Sequence, residues 1–302
     1  MRTAGLGALT KRNVKLYFKD KGMFFSSLIT PLILLVLYTT FLKNVFEDSF
    51  RGALDAAGAA VSDSIIGGCV GGQLVSSLLA VSCVTVAFCS NLLMVQDKIS
   101  GARRDLTVTP VHSGTLALSY YASSLLSTLI ISFAASAVCF AYLAAEGWYL
   151  STADVAAVIG DVILLCLFGT ALSSCVNFPL TTQGQASAVG TIVSVGYGFI
   201  CGAYMPISQF SDGLQKVLSF LPGTYGTSML RNHALRGVFE KMSDHGFPEQ
   251  VIESIRDSVD CNIYFYGDKV SIGNMYIILP ASIAILVALY VLMNVIKAKR
   301  EK

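Results

Sequence analysis

Residues 96–114 read QDKISGARRDLTVTPVHSG, and this polar stretch separates two apolar runs, 65–95 and 115–145. Each run is longer than the roughly 20 apolar residues that a helix needs to cross a bilayer, so the stretch is predicted to be a short loop at a membrane face. Its three basic residues are typical of the cytoplasmic side. Between Gly101 and Pro110 we expect a short helix that contacts a partner in the cytosol.

The composition is that of a membrane protein. Apolar residues make up 54% of the chain and charged residues 13%, with a mean hydropathy of +0.65, whereas soluble domains carry about 25% charged residues. Nearly all of the eight cysteines lie in apolar runs, where they act as small apolar residues. Because no Cys or His spacing typical of a zinc site occurs, we expect no structural metal.

The basic N-terminal segment, residues 1–22, is predicted to form a helix in the membrane interface. Lys11, Lys15 and Lys19 recur every four residues and therefore share one helical face, while apolar side chains fall on another. Such a helix suits an interface with anionic lipid headgroups. A disordered basic tail is the alternative.

Six membrane spans are predicted from apolar runs of sufficient length. They cover residues 23–42, 65–95, 115–145, 153–175, 185–205 and 272–296. Segment 43–64 is predicted to be an external loop, and the turn 180–184 is so short that its flanking helices should be neighbours. The basic tail 297–302 places the C-terminus inside together with the N-terminus. The predicted fold is one all-α domain, a multi-pass protein of the cytoplasmic membrane.

Residues 206–271 are predicted to lie on the external side. An apolar stripe at 207–218 and a second one through Tyr225 flank a break at Pro222, which indicates a re-entrant helical hairpin that dips into the outer leaflet. The acidic remainder suits an external cap, with a helix that begins near Pro248.

The sequence carries no motif for catalysis or for a cofactor. A phosphate-binding loop, a nucleophile elbow and a zinc-protease motif are all absent. Asp161 is the one ionisable residue well inside an apolar run, and Asp154 lies on the same helical face. Two interpretations stay open for them, a cation or proton path and hydrogen-bonded structural carboxyl groups. For Arg231 and Arg236 two interpretations also stay open, a functional role near the hairpin and contact with the outer lipid headgroups.

The order and spacing of two short motifs, together with the predicted spans and the basic N-terminal helix, resemble the type-2 ABC exporter permeases. In the loop the motif residues are Gln96, Asp97, Lys98, Gly101, Leu106, Thr109, Pro110 and Val111. In the external segment they are Leu221, Pro222, Tyr225, Leu230, Arg231 and Gly237. The resemblance covers essentially the whole chain, although the loop begins with Gln-Asp-Lys where the family has a glutamate-rich run.

The resemblance implies that the loop carries a coupling helix that docks on a separate ABC ATPase subunit. The residues implied in this contact are Asp97, Gly101, Arg103, Arg104, Leu106 and Pro110. We expect Arg103 and Arg104 to be exposed to the cytosol, where they can pair with acidic residues of the ATPase, and Leu106 to be the buried anchor of the contact. Two ATPase copies would hold ATP and Mg²⁺, and a second permease copy or a paralogue would complete the assembly in the lipid membrane; no nucleic acid is expected. A path lined by the second and fifth spans would move a drug, lipid, peptide or glycan-like substrate by alternating access. The external hairpin, with Pro222, Tyr225 and Arg231, would act as its lid.

Two other classes of protein stay open. A secondary transporter would need an internal repeat with matching interrupted helices, and the halves 1–145 and 146–302 show no evident correspondence in loop lengths. A membrane scaffold or immunity protein that transports nothing is the other alternative.

Overall fold

The computed structural model describes residues 5–56, 62–108 and 111–300. The helices there are α1 (Leu6–Lys19), α2 (Lys21–Leu37), α3 (Lys43–Ala56), α4 (Asp63–Ile99), α5 (Ala102–Val108), α6 (Ser113–Glu146), α7 (Thr152–Asn177), α8 (Gln183–Ile200), α9 (Asp212–Leu218), α10 (Pro222–Asp244), α11 (Glu249–Ser258) and α12 (Ile272–Arg300). A π-helix, Tyr38–Leu42, joins α2 to α3, and a 3-10 helix, Ile207–Gln209, precedes α9. The strands β1 (Tyr264–Phe265) and β2 (Asp268–Lys269) pair antiparallel. The predicted all-α class is confirmed.

Among the described residues, five helical segments are long and apolar enough to cross a membrane. They are Lys21–Asp48, Asp63–Ile99, Ser113–Glu146, Thr152–Asn177 and Ile272–Lys297. These segments correspond to five of the six predicted spans. Helix α8 covers most of the predicted fifth span but is not one of the five, so a sixth crossing stays a prediction.

Helix α4 forms the centre of the bundle. It packs against α2, α6, α7, α8 and α10, and 89% of the residues in its most apolar stretch are buried. Two of its glycines allow this close packing, because a Cβ atom at Gly68 would lie 2.7 Å from Tyr149 and one at Gly72 would lie 2.5 Å from Leu235. At these two glycines α4 therefore packs closely against other parts of the same chain.

The first apolar helix continues beyond its predicted end. The prediction of an external loop at 43–64 is wrong for its first part, because the chain stays helical through the π-helix and α3. Phe46 and Phe50 of α3 are buried, and Lys43 forms an ion pair with Glu146 at the end of α6, at 2.7 Å. Burial of the apolar face of α3 against the bundle explains why this segment is not a free loop.

Helix α1 confirms the predicted N-terminal helix over Leu6–Lys19, so the alternative of a disordered tail is wrong there. It packs along α6, and Tyr17 donates a hydrogen bond to Ser27 of α2 at 2.7 Å. Asp20 separates the two helices, and its side chain accepts a hydrogen bond from the Met23 amide at 3.1 Å, as a helix N-cap does.

Segment 206–271 contains the three predicted helices, with different burial. The 207–218 stripe is split, because Val217 is 59% exposed while both ends of the stripe are buried. Tyr225 on α10 is buried as expected, and α11 begins directly after Pro248 as predicted.

Candidate functional site

The loop between α4 and α6 contains the predicted short helix. Helix α4 ends at Ile99, and Gly101 has a positive φ of 83°, a conformation that costs little only for glycine. The chain then turns into α5, where the amide of Arg104 donates to the Gly101 carbonyl at 2.8 Å. The prediction that Gly101 precedes a helix is therefore confirmed. Pro110 lies outside the described residues.

Asp97, at the end of α4, is directed into the protein. Its carboxylate pairs with Arg12 of α1 at 2.7 Å and accepts a hydrogen bond from Tyr120 of α6 at 2.6 Å. The hydrogen bond with Asp97 raises the pKa of Arg12. Because only 7% of the Asp97 side chain is exposed, its position differs from that of a direct partner contact. It joins α1, α4 and α6 at the base of the loop.

One side of α5 rests on the bundle. Leu106 is half-buried and packs against an apolar cluster that includes Phe178 and Tyr290. Arg103 is also half-buried, with its guanidinium carbon 5.8 Å from the centre of the Phe178 ring. The expectation that Arg103 is exposed to solvent is therefore wrong. Leu106 therefore packs against side chains of this chain.

The opposite side of α5 is directed to solvent. Arg104 and Asp105 are exposed, and Val108 is 84% exposed, although a β-branched apolar residue gains nothing from contact with water. Val108 was not among the residues predicted for this contact. The sequence could have indicated it, because Val108 follows Arg104 by four residues and both side chains therefore lie on one face of the helix.

Arg231 of α10 lies inside the protein. It forms an ion pair with Asp260 at 3.1 Å, and only 1% and 3% of the two side chains are exposed. Arg231 also donates to the carbonyl of Gly202, while Asp260 accepts from the Ile207 amide at 2.7 Å. Burial raises the pKa of Asp260, and the neighbouring guanidinium opposes that shift. The interpretation that Arg231 reaches lipid headgroups is wrong, because its charge is neutralised within the chain.

Asp161 also bonds to α10. Its carboxylate lies 2.6 Å from His233 Nδ1 and accepts a hydrogen bond from Tyr276 of α12 at 2.9 Å. The side chain is 1% exposed. These contacts favour the interpretation of a hydrogen-bonded structural carboxyl group.

Asp154 has a similar role at the start of α7. It forms a capping box with Ser151 and an ion pair with Arg236 of α10 at 2.6 Å. Contrary to the interpretation of a contact with headgroups, Arg236 is therefore paired within the chain. No group of three or more potential metal ligands occurs among the described residues.

A cavity of about 740 Å³ lies between the first apolar helix and α8. Its lining is rich in aromatic side chains and includes Phe41, Phe46, Phe50 and Phe199. None of the residues of α4, all of which the structure describes, lines it. The prediction that the second span lines a path therefore has no support within one copy, whereas α8 does contribute to the cavity wall.

The sequence matches a known protein family. The sequence family described as ABC-2 type transporter matches residues 4–234, which include the α4–α6 loop and most of α10. No curated protein matches the sequence.

Proposed function

The chain belongs to the ABC-2 type transporter family, and we propose that it is the membrane-spanning permease subunit of an ATP-driven exporter. Family membership and the five apolar helices make it a multi-pass membrane transport protein. In this proposal the chain exports its substrate, binds a separate ATPase subunit and has a defined orientation in the membrane. Both termini and the α4–α6 loop face the cytosol, and segment 206–271 faces outward, in the cytoplasmic membrane.

The solvent-directed face of α5 carries the proposal. Arg104, Asp105 and Val108 form a small mixed surface at the end of the bundle, and an apolar side chain surrounded by charges is typical of the centre of a protein interface. This surface suits a groove on an ABC ATPase subunit. ATP and Mg²⁺ would be held there, with two ATPase copies for two permease copies or for a pair of paralogues.

The aromatic cavity is the proposed part of the substrate path. Its wall in α8 continues into an exposed apolar surface, with Ile192 69% and Val195 57% exposed, which suits packing against the second permease copy. Helix α8 would then be the sixth crossing, since its weakly apolar sequence is covered by the partner copy. A largely apolar lining favours lipid-like or drug-like substrates.

The hairpin of α9 and α10 is proposed to enter the outer leaflet and to cover the path. The exposed apolar side chains Val217 and Phe220 support contact with lipid. Alternating access would move α10 relative to the first apolar helix, driven by the approach of the two ATPases.

The test is co-purification of the ATPase with variants of the full chain. We expect Val108→Asp to weaken ATPase binding at least about thirtyfold, because truncation of an interface anchor costs about 2 kcal/mol or more. The matched control is Tyr266→Asp. Tyr266 is 62% exposed and precedes the first residue of α12, at the end of the bundle opposite α5.

Transport in lipid vesicles completes the test. Uptake that needs ATP and the ATPase supports the exporter, and ion-driven uptake without an ATPase would establish a secondary transporter. Absence of any transport by a correctly assembled complex would favour the scaffold.

A further inference from the structure

Three aromatic side chains form an exposed cluster at the end of the bundle where α12 begins. Between ring centres, Phe220, which follows α9, lies 5.1 Å from Phe265 of β1 and 6.0 Å from Tyr266. Phe220 is 60%, Phe265 37% and Tyr266 62% exposed. We refer to these three residues as the aromatic tip. Apolar side chains exposed side by side mark a contact surface, whereas single exposed apolar residues need no explanation.

The apolar surface continues from the aromatic tip along α9. Leu214 is 41% and Val217 59% exposed, and their spacing of three residues places both on one face of the helix. Lys216 Nζ lies 5.9 Å from the centre of the Tyr266 ring. Aromatic rings and lysine side chains together are typical of the level of the lipid headgroups, whereas lysine is depleted in interfaces between proteins. The composition of this surface therefore suits lipid.

The backbone of Tyr266 supplies an independent observation. Tyr266 has a positive φ of 52° and Gly267 one of 97°, and the two residues form the turn between β1 and β2. Such hairpin turns favour asparagine or aspartate before the glycine, because a bulky residue is unfavourable at positive φ. An exposed tyrosine at this position thus costs local stability, which indicates that its ring has a role beyond the turn.

The position of the hairpin in the chain indicates which surface the aromatic tip meets. Strand β2 ends at Lys269, three residues before Ile272, where α12 and its apolar segment begin. Three residues cover at most roughly 11 Å, so the hairpin lies near the level at which α12 enters the membrane. The first turns of α12 are themselves apolar and exposed, with Ile272 38% and Ile277 69% exposed. The hairpin thus directly precedes a helical surface that suits lipid.

We propose that the aromatic tip inserts into the lipid headgroup region of the leaflet that α12 enters first. The tip acts as an anchor that fixes the hairpin and α9 to the membrane surface. This proposal extends the lipid contact proposed above for α9 to the hairpin, and it needs only that α12 spans the membrane. It depends on neither an ATPase nor transport.

Tyr264 provides a matched control position on the same hairpin. Neighbouring residues of a strand point to opposite faces. The Tyr264 hydroxyl group donates a hydrogen bond to Asp257 of α11 at 2.9 Å, whereas Phe265 contacts Phe220. A reporter at position 264 is therefore expected to lie away from the lipid, although it is only two residues from Tyr266.

The experiment uses the full chain in phosphatidylcholine vesicles, with tryptophan fluorescence as the readout. Trp148, the single tryptophan of the chain, is first replaced in Trp148→Phe, and a reporter is then introduced as Tyr266→Trp or as Tyr264→Trp. Lipids brominated near the headgroup end of their acyl chains quench tryptophan at the membrane, and acrylamide quenches tryptophan in water. Tyr266→Trp is expected to lose most of its fluorescence with brominated lipid and little with acrylamide, and Tyr264→Trp to show the reverse.

Phe220→Trp serves as a second reporter and should behave as Tyr266→Trp does. Adding Tyr266→Asn to it should reduce quenching by brominated lipid, while thermal stability in detergent stays equal or improves, because asparagine tolerates positive φ. A loss of stability in Tyr266→Asn would assign the tyrosine to folding and overturn the proposal. Stronger quenching of Tyr266→Trp by acrylamide than by brominated lipid would also overturn it. So would protection from both quenchers, since the aromatic tip would then be covered by protein, such as a second copy of the chain.

Discussion

Helices α5 and α10 both carry cationic residues, but they use them in opposite ways. On α10, Arg231 and Arg236 each form an ion pair with a carboxylate from another part of the same chain. On α5, Arg103 rests on an aromatic ring and Arg104 is directed to solvent.

The difference shows how each region is stabilised. A buried ion pair is costly to break, because removal of one partner leaves an uncompensated charge. Helix α10 is therefore held in place by the chain itself, whereas α5 presents charge and one exposed apolar side chain for binding from outside. Under the proposed function α5 receives force from the ATPase, and such a region has to keep a surface available for its partner.

The largest expected effect concerns the sides of the membrane on which the two regions lie. In intact cells an impermeant thiol reagent is expected to label Asp268→Cys fully and Ser100→Cys not at all, because both positions are exposed but on opposite sides. The parent protein is the control, since its described cysteines are buried or half-buried. Labelling of Ser100→Cys alone would invert the proposed orientation.

The next largest effect is expected on α10. Arg231→Met should destabilise the protein by about 3 to 5 kcal/mol, because it leaves the buried Asp260 without its partner. Thermal unfolding of the detergent-solubilised chain, followed by size-exclusion chromatography, measures the loss.

Two further variants sharpen this result. Combining Arg231→Met with Asp260→Leu should recover most of the stability. Arg51→Met, which removes exposed ion pairs with Glu47 and Asp63, should change the stability little, because water screens such pairs. If Arg231→Met and Arg51→Met lower the stability equally, burial does not make the Arg231–Asp260 pair costlier to break than an exposed pair.

A smaller effect separates the two faces of α5. Leu106→Asp should lower the stability of the isolated chain by at least about 1 kcal/mol, because it places a carboxylate against the apolar cluster around Phe178. Val108→Asp should leave that stability unchanged and affect only ATPase binding. The same thermal assay distinguishes them, and equal stability of the two variants would mean that α5 does not rest on the bundle.

The smallest effect is expected at the turn into α5. Gly101→Ala should cost about 1 kcal/mol, because its φ of 83° is unfavourable for a residue with a Cβ atom. Gly7→Ala is the matched control, since Gly7 lies within α1 and has open space around it, where alanine is favoured. If both substitutions stabilise the chain equally, the turn is not constrained in solution.

Several features of this protein follow from local sequence alone. Apolar runs longer than a bilayer determine the long helices, and Gly101 and Pro248 determine where short helices begin. These features depend on hydropathy, on helical periodicity and on backbone preferences, all of which act between residues close in the chain.

Other features were decided only when the helices packed. Asp97 meets Arg12 across 85 residues, and Arg231 meets Asp260 across 29, so no periodic pattern relates the partners. For the same reason the charged residues of α5 did not predict which face of the helix packs against the bundle, and Arg103 was expected to be exposed to solvent. The cost of burying an unpaired charge decides which side chains turn inward, and that cost depends on neighbours that only the tertiary structure supplies.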